Sequence, residues 1–429
     1  MDVRIAPAAL GGSVRAPPSK SYSHRAILAG GYSDTATIVG ALESADTAAT
    51  RRAVEAFGAA VTDAGEHAGE TVTGFDGAPG VPADVIDCAN SGTTMRLVTA
   101  TAGLVEGTTV LTGDASLRGR PQGPLLGALD ALGGSGLSVH GDGTAPLVIG
   151  GPIGGGSVTL PGDVSSQYIS ALLMAGAVTD AGIAIELETA AKSAPYIQIT
   201  MEVLSAFGVS AEATDAGYRV AGGQRYRRQA PYAVPGDFSS VSYLAALGAL
   251  CAAEPLIIEG VTPSAQGDAA IISILEEMGA PISWDREAAT VRVGAAPLAA
   301  VTVDVGDTPD LLPTLAVLGA FADGQMCLEN CGHVRLKETD RVAVMAEALT
   351  QLGVAVEEEP DRLCIGAAPA TLGGEALDGA GDHRIIMALS VLATAGDRAC
   401  SISGAEDVAV SYPGFFDALE RLGGQVHRG

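Results

Sequence analysis

The chain repeats itself six times, and that repeat limits what it can fold into more than any other feature. A helical pattern ending in a large apolar residue plus glycine, then a short strand-like run, recurs at Phe57-Gly58, Leu132-Gly133, Phe207-Gly208, Met278-Gly279, Leu352-Gly353 and Leu422-Gly423. Successive glycines lie 75, 75, 71, 74 and 70 residues apart. In each copy, as in MEVLSAFGVSAE, apolar residues fall at helical spacing and glycine supplies the left-handed stop before the strand. A second series interleaves: Ser19, Asn90, Asp163, Asp237, Asp307 and Asp382 lead into apolar helical runs, spaced 71, 73, 74, 70 and 75 residues. These residue types accept hydrogen bonds from the orphan amides of a helix start. The repeating α/β unit thus holds two helices and several short strands. Solenoid repeats run to about 20–50 residues, so units this long are expected to divide three and three into two globular domains. The chain breaks best at RYRRQAPYAVPG, where Pro231 and Pro235 flank an extended segment, with a second crossing at Pro17-Pro18. The predicted domains are 18–235 and 1–17 plus 236–429.

Charge narrows the function. The 429 residues carry 50 Asp and Glu against 24 Lys and Arg, a net −26, while 47% are hydrophobic and 17% charged. That composition builds large cores and excludes a disordered chain. So acidic a surface repels phosphate backbones and anionic lipid, which excludes nucleic acid and membrane surfaces as partners. An anionic ligand needs a local pocket of positive potential. The cations comprise 21 Arg and three Lys, Lys20, Lys192 and Lys337; an acidic, lysine-poor chain suits a salt-rich cytoplasm, where screening relieves self-repulsion. Each surviving lysine then marks a place for a compact ammonium that arginine does not imitate. The cysteines at 88, 251, 327, 331, 364 and 400 form no C-x-x-C, so reduced, mostly buried thiols and no metal are expected. MDVRIAPAAL lacks an apolar segment of signal-peptide length, and Phe238–Ala253 is too short to span a bilayer. The expectation is a cytoplasmic, monomeric protein.

The helix starts carry nearly every unusual polar group. A helix N-terminus presents unpaired amides and about half a positive charge. Three from each domain facing one cleft would receive small, multiply anionic substrates. The first start, Pro18-Ser19-Lys20-Ser21-Tyr22-Ser23-His24-Arg25, sets an ammonium one turn from a guanidinium. Asn90-Ser91-Gly92-Thr93-Thr94-Met95-Arg96 follows, where Gly92 admits a ligand close to the backbone. Leu117-Arg118-Gly119-Arg120-Pro121 reads as a loop with two arginines, and Asp163-Val164-Ser165-Ser166-Gln167 offers two hydroxyls and an amide. Lys192-Ser193-Ala194-Pro195-Tyr196 adds another polar cluster. Downstream, Thr308-Pro309-Asp310 puts a carboxylate beside a helix start. The run from Arg335 to Arg341 packs three cations with two acids, and Asp382-His383-Arg384 adds an imidazole and a guanidinium. Arg225, Arg227 and Arg228 read as a solvated hairpin.

PSKSYSHRA, NSGTTMR, LRGRP, SSQY, KSAPY, LKETDR and GDHR, in this order from about residue 15 to 420, resemble the 5-enolpyruvylshikimate-3-phosphate synthase family. The resemblance implies a two-domain inside-out α/β barrel of six βαβαββ-like repeats. It also implies transfer of the enolpyruvyl group of phosphoenolpyruvate to the 5-hydroxyl of shikimate 3-phosphate, with release of phosphate and no cofactor. By resemblance, Lys20, Ser21, Arg25, Ser165, Ser166, Gln167, Ser193, Tyr196, Asp310 and Lys337 hold shikimate 3-phosphate. Lys20, Asn90, Gly92, Thr93, Arg120, Gln167, Arg341 and Arg384 hold phosphoenolpyruvate, the site that the inhibitor glyphosate takes in the family. Asp310, Glu338, Lys20 and His383 form the implied catalytic set, Asp310 accepting the hydroxyl proton and Glu338 handling the proton at the enol methylene.

Two positions depart from the family pattern. Val410 stands where many bacterial relatives have a lysine before the aromatic-proline pair, here Tyr412-Pro413, and His333 replaces an expected asparagine. The nearest rival, an enolpyruvyl transferase acting on UDP-N-acetylglucosamine, usually carries a reactive cysteine where this chain reads TGDASLRGRPQG. A non-catalytic repeat scaffold would not fill its helix starts with cations. From the charge alone, the thermal unfolding midpoint is expected to rise with KCl into the molar range; a midpoint flat or falling over that range would remove the salt-adapted reading.

Overall fold

All six repeat glycines turn the chain as the pattern requires: φ is 107° at Gly58, 91° at Gly133, 78° at Gly208, 94° at Gly279, 81° at Gly353 and 102° at Gly423. A Cβ is costly in that region, so glycine ends each helix and releases the next strand. The computed structural model describes residues 1–65, 69–366 and 368–429. The chain divides into two compact units, 1–17 with 235–429, and 18–234. Each unit has its own strands and buried helices.

Every repeat builds the same four-stranded sheet: one parallel pair, then two antiparallel neighbours. In the 18–234 unit, Gly156–Leu160 runs parallel to Ile183–Leu187; that strand is antiparallel to Gly217–Val220, which pairs in turn with Ala211–Thr214. The register aligns Val158 with Ile185, both buried, so one face of the sheet packs inward. In the other unit, the strand Val3–Ala6 lies between Cys400–Ile402 and Gln425–Arg428, antiparallel to both. Its sheet therefore joins the first residues of the chain to the last.

The helices that follow the polar starts are apolar on nearly every face. They are Lys20–Tyr32, Gly92–Ala102 and Ser166–Gly176 in one unit, and Phe238–Cys251, Leu312–Phe321 and His383–Ala395 in the other. Such helices are stable only when surrounded, and all but a few of their residues are buried. Small residues set the approach: a Cβ on Gly248 would overlap Val293 of the facing strand. Among the described residues no helix is long and apolar enough to cross a membrane.

Two caps fall at their expected places, while Ser19 precedes Lys20–Tyr32 without a side-chain cap bond. Asp237 accepts from the Ser240 amide at 3.0 Å and Asp382 from the Arg384 amide at 2.8 Å, each worth about 1 kcal/mol. In two repeats the cap moves inward, because a serine stands nearer the first turn. Ser91, not Asn90, accepts from the Thr94 amide at 3.1 Å, and Ser165, not Asp163, from the Gln167 amide at 3.3 Å. After Asp307 the chain first makes a 3₁₀ turn, Pro309–Leu311.

Three other expectations change. The thiols are not all reduced: Cys327 and Cys364 pair across the antiparallel strands Met326–Glu329 and Arg362–Ile365, where register makes them direct neighbours, and form a disulfide. Asp114 caps a single helical turn, Ala115–Arg118, inside the stretch read as a loop. The Arg225–Arg228 segment is no hairpin; Arg228 donates to the carbonyls of Ala206 and Pro231 and lies over the Tyr232 ring. Thiol titration of the denatured, unreduced protein should find four groups, Cys88, Cys251, Cys331 and Cys400, rising to six after reductant; six without reductant would contradict the cross-strand bond.

Candidate active site

In the 18–234 unit, the Lys20, Gly92 and Ser166 helix starts come together through their polar side chains. Lys20 Nζ pairs with Asp46 Oδ2 at 3.3 Å, both groups largely shielded from water. Asp46 sits in the first turn of the helix Ala45–Ala56, whose start is fixed by a reciprocal Ser44–Thr47 capping box. Gly92 opens its helix beneath two guanidiniums: a Cβ there would lie 3.1 Å from Arg120 Nη1 and 3.2 Å from Arg96 Nη1. Arg120 also donates to Asn90 Oδ1 at 3.2 Å, and Asn90 donates to Asp114 Oδ2 at 2.7 Å. Gln167 is clamped, its Oε1 accepting from Arg96 at 2.6 Å and its Nε2 donating to Thr93 Oγ1 at 2.9 Å. Two cations above a helix N-terminus favour an anion at Gly92.

On the opposite side of the Lys20 helix, Arg25 is 1% exposed and holds neighbouring elements together. It donates to Thr200 Oγ1 at 2.7 Å, Ser170 Oγ at 3.3 Å and the carbonyls of Ser21 and Tyr196 at 2.9 and 3.2 Å. Burial lowers its pKa to about 10. Ser193 adopts φ 57° at the start of Ala194–Ala206, which turns Tyr196 back toward the Arg25 group. Ser165 and Ser166 cap and open the Ser166 helix.

The 1–17/235–429 unit builds its cluster around Arg341. This guanidinium, 1% exposed, donates to Asp310 Oδ1 at 2.8 Å, Glu338 Oε2 at 2.6 Å and Asp382 Oδ2 at 2.7 Å. Arg384 donates to Asp310 Oδ2 at 2.8 Å, so Asp310 bridges two guanidiniums. Burial alone would lower the Arg341 pKa, but Asp382, Glu338 and Asp310 raise it above its ordinary value. Removing one partner from so buried a set costs about 3–5 kcal/mol. His383 lies buried beside Asp382, Nδ1 to Oδ1 3.7 Å, and Lys337 stands half-buried at the end of the 3₁₀ turn Gly332–Leu336. Arg335 and Asp340, in the same charged run, are struts. Arg335 holds Asp340 and Glu358, and Asp340 caps Arg341–Gln351.

Four participants escape the sequence reading as site residues: Asp46, Arg96, Asp382 and Asp268. Arg96 stood within a quoted motif and Asp382 at a helix lead, but nothing in the sequence tied either to a partner. Asp268, 3% exposed, accepts from Ser239 Oγ, and its Oδ1 has no hydrogen-bond partner. Burial first, and then the Asp310 charge, push its pKa up to about 7, against the opposing pull of Arg384 and the Ser239 hydroxyl.

Repeated α/β units whose helix starts gather cations and carboxylates define a protein suited to small anionic ligands. Comparison with known proteins gives the family. The chain belongs to the EPSP synthase family (3-phosphoshikimate 1-carboxyvinyltransferase), whose model matches residues 5–419, and it is accordingly a transferase. It is 58% identical over 427 residues to the 3-phosphoshikimate 1-carboxyvinyltransferase of Halobacterium salinarum, 99% of both chains being covered. With that of Halorubrum lacusprofundi it shares 56% over 448 residues, covering 100% of this chain and 99% of the relative. An EPSP synthase structure from Acinetobacter baumannii matches with a TM-score of 0.84 at 27% identity over the full length of both chains. An enolpyruvyl transferase from Streptomyces tendae, 18% identical, shares the fold with a TM-score of 0.77 over 99% of this chain and 98% of its own.

The Asp268 carboxyl sets a pH dependence. An acid whose pKa rises on folding binds a proton in the native state that the unfolded chain lacks between about pH 4 and 7, so its contribution is full below that window and lost through it. Asp268→Asn should therefore gain stability relative to the parent as pH rises from 4 to 8, by on the order of a few kcal/mol at most. Denaturant melts across that range check it, and parallel profiles would contradict the raised pKa.

Proposed function

We propose that the enzyme transfers the enolpyruvyl group of phosphoenolpyruvate to the 5-hydroxyl of shikimate 3-phosphate and releases phosphate, working in the cytoplasm on two small anions. The observation that carries this reading is the Arg341 cluster, where two carboxylates suited to proton transfer, Asp310 and Glu338, share one buried guanidinium. Family membership supplies the substrates.

The chemistry needs both carboxylates. Protonation of the enol methylene makes the adjacent carbon oxocarbenium-like, and the 5-hydroxyl attacks it as its own proton is taken up. Loss of a methyl proton then restores the double bond while the carbon–oxygen bond to phosphate breaks. Glu338 serves the methylene proton in both directions and Asp310 accepts the hydroxyl proton. Arg341 and Arg384 favour ionised carboxylates until an anionic substrate competes for them, and that exchange frees Glu338 to carry a proton. Lys20, Arg120 and the Gly92 helix start suit the phosphate and carboxylate of phosphoenolpyruvate, with Asn90, Thr93 and Gln167 ordering that corner. Ser21, Arg25, Ser165, Ser166, Ser193, Tyr196 and Lys337 suit the phosphorylated, hydroxylated ring, and His383 lies beside the acid-base group.

A coupled assay of phosphate release with these two substrates at fixed KCl tests the reading, with UDP-N-acetylglucosamine as the rival acceptor. Asp310→Asn and Glu338→Gln should each lower turnover about 10²-fold or more, while Glu338→Gln retains binding of shikimate 3-phosphate. Near-normal turnover in a folded variant removes that residue from its role.

A further inference from the structure

Behind the 18–234 cluster runs a chain of buried hydroxyls to which neither the family pattern nor the proposed chemistry assigns a task. His24 Nδ1 lies 2.7 Å from Thr50 Oγ1, and Thr50 Oγ1 lies 2.7 Å from Thr94 Oγ1. Thr94 Oγ1 in turn reaches Ser91 Oγ at 2.7 Å and the Asp46 carbonyl at 3.3 Å. His24, Thr50, Ser91 and Thr94 are wholly buried. They come from three helices: Lys20–Tyr32, Ala45–Ala56 and the start of Gly92–Ala102.

The hydroxyl contacts by themselves allow either donor; with Thr94 donating its one proton onward, to Ser91 or the Asp46 carbonyl, it accepts from Thr50. Thr50 then accepts from His24, which leaves the ring with its proton on Nδ1 and a bare Nε2. That assignment agrees with the surroundings. Nε2 is buried without a hydrogen-bond partner, a state easier for a lone pair than for an N–H. Burial first, then the charges of Lys20, Arg25 and Arg51, keep the ring neutral by lowering its pKa well below the ordinary value.

The Thr94 end of this relay touches the two groups that hold Lys20 and precede Gly92, which the proposed function assigns to phosphoenolpyruvate. Asp46, whose carbonyl Thr94 reaches, holds Lys20 through its carboxylate. Ser91, whose hydroxyl accepts from both the Thr94 side chain and its amide, is the cap immediately before Gly92. The Arg25 network, through Thr200 and Ser170, binds the other side of the same helix to the elements assigned to shikimate 3-phosphate. We infer that Thr50 and Thr94 are positioning residues for phosphoenolpyruvate: by a one-way hydrogen-bond relay from His24 they fix the spacing of Lys20 and the Gly92 turn. The inference rests on the function proposed above. A fully satisfied buried network holds one geometry, and displacing a binding group by a fraction of an ångström weakens the ligand it serves.

Thr50→Val keeps the shape and removes the hydroxyl; Thr50→Ser restores it. In Thr50→Val the KM for phosphoenolpyruvate should rise about five- to thirtyfold, with kcat within about threefold and the calorimetric Kd for shikimate 3-phosphate unchanged. Thr50→Ser should return the KM to near the parent value. Equal losses for both substrates, a fall in kcat alone, or no rescue by serine would overturn the assignment. Should Thr50→Val fold poorly, ¹⁵N NMR of the His24 ring in the parent protein decides the relay. The Nδ1–H tautomer without titration from pH 5 to 9 supports it, and an Nε2–H tautomer or ordinary titration overturns it. A parent protein that releases no phosphate from the two substrates would instead sink the functional reading, while the ring spectrum still reports on the relay.

Discussion

A helix surrounded by protein must satisfy its first amides from within, and in four of the six repeats this chain does so with a capping side chain. Solvent cannot reach the starts of the Gly92, Phe238 and His383 helices, so Ser91, Asp237 and Asp382 supply the acceptors. The same starts gather cations because unpaired amides and arginines favour the same ligand, an anion. Sheets are then free to lie outside, and the helix ends become the chemically equipped part of each unit.

Electrostatics works against the chain's own excess of acid. With a net charge of −26, a pocket for anions survives only if its cations are shielded from the global field and held in place. The two clusters solve this differently. Lys20, a point charge, takes a single carboxylate partner in Asp46. Arg341, a planar fork, takes three carboxylates in Asp310, Glu338 and Asp382, each of its three nitrogens meeting at least one. A lysine at 341 would have the charge but not the geometry.

The repeat was legible because it is written in periodic, local signals: a left-handed glycine after each helix and a polar residue before the next. Members of the two polar clusters were legible where an unusual group sits in such a start, as Lys20, Gly92 and Arg384 do. Asp46 was not, since an aspartate in a helical first turn looks like an ordinary dipole partner until the fold brings Lys20 against it. Asp268 carries no local mark either; its surroundings come from Ser239, Asp310 and Arg384. The Cys327–Cys364 bond depends on strand register across 37 residues, which cysteine spacing does not encode. The inward shift of two caps, from Asn90 to Ser91 and from Asp163 to Ser165, is the usual uncertainty of helix ends where several capping residues stand together.

The strand Val3–Ala6 pairs only with Cys400–Ile402 and Gln425–Arg428, and this gives synthesis a direction. During translation this strand leaves the ribosome well ahead of its two neighbours, Cys400–Ile402 and Gln425–Arg428, and waits for them. Tyr232–Ala233, by contrast, closes the sheet begun at Thr35–Val39, so the 18–234 unit has every strand it needs with nearly half the chain still to be made. At about 5–20 residues per second, the remaining residues take on the order of ten seconds or more. For that interval the nascent chain is a finished inner unit carrying an unpaired N-terminal strand, kept from aggregation by its short length and by the acidic surface already folded beside it.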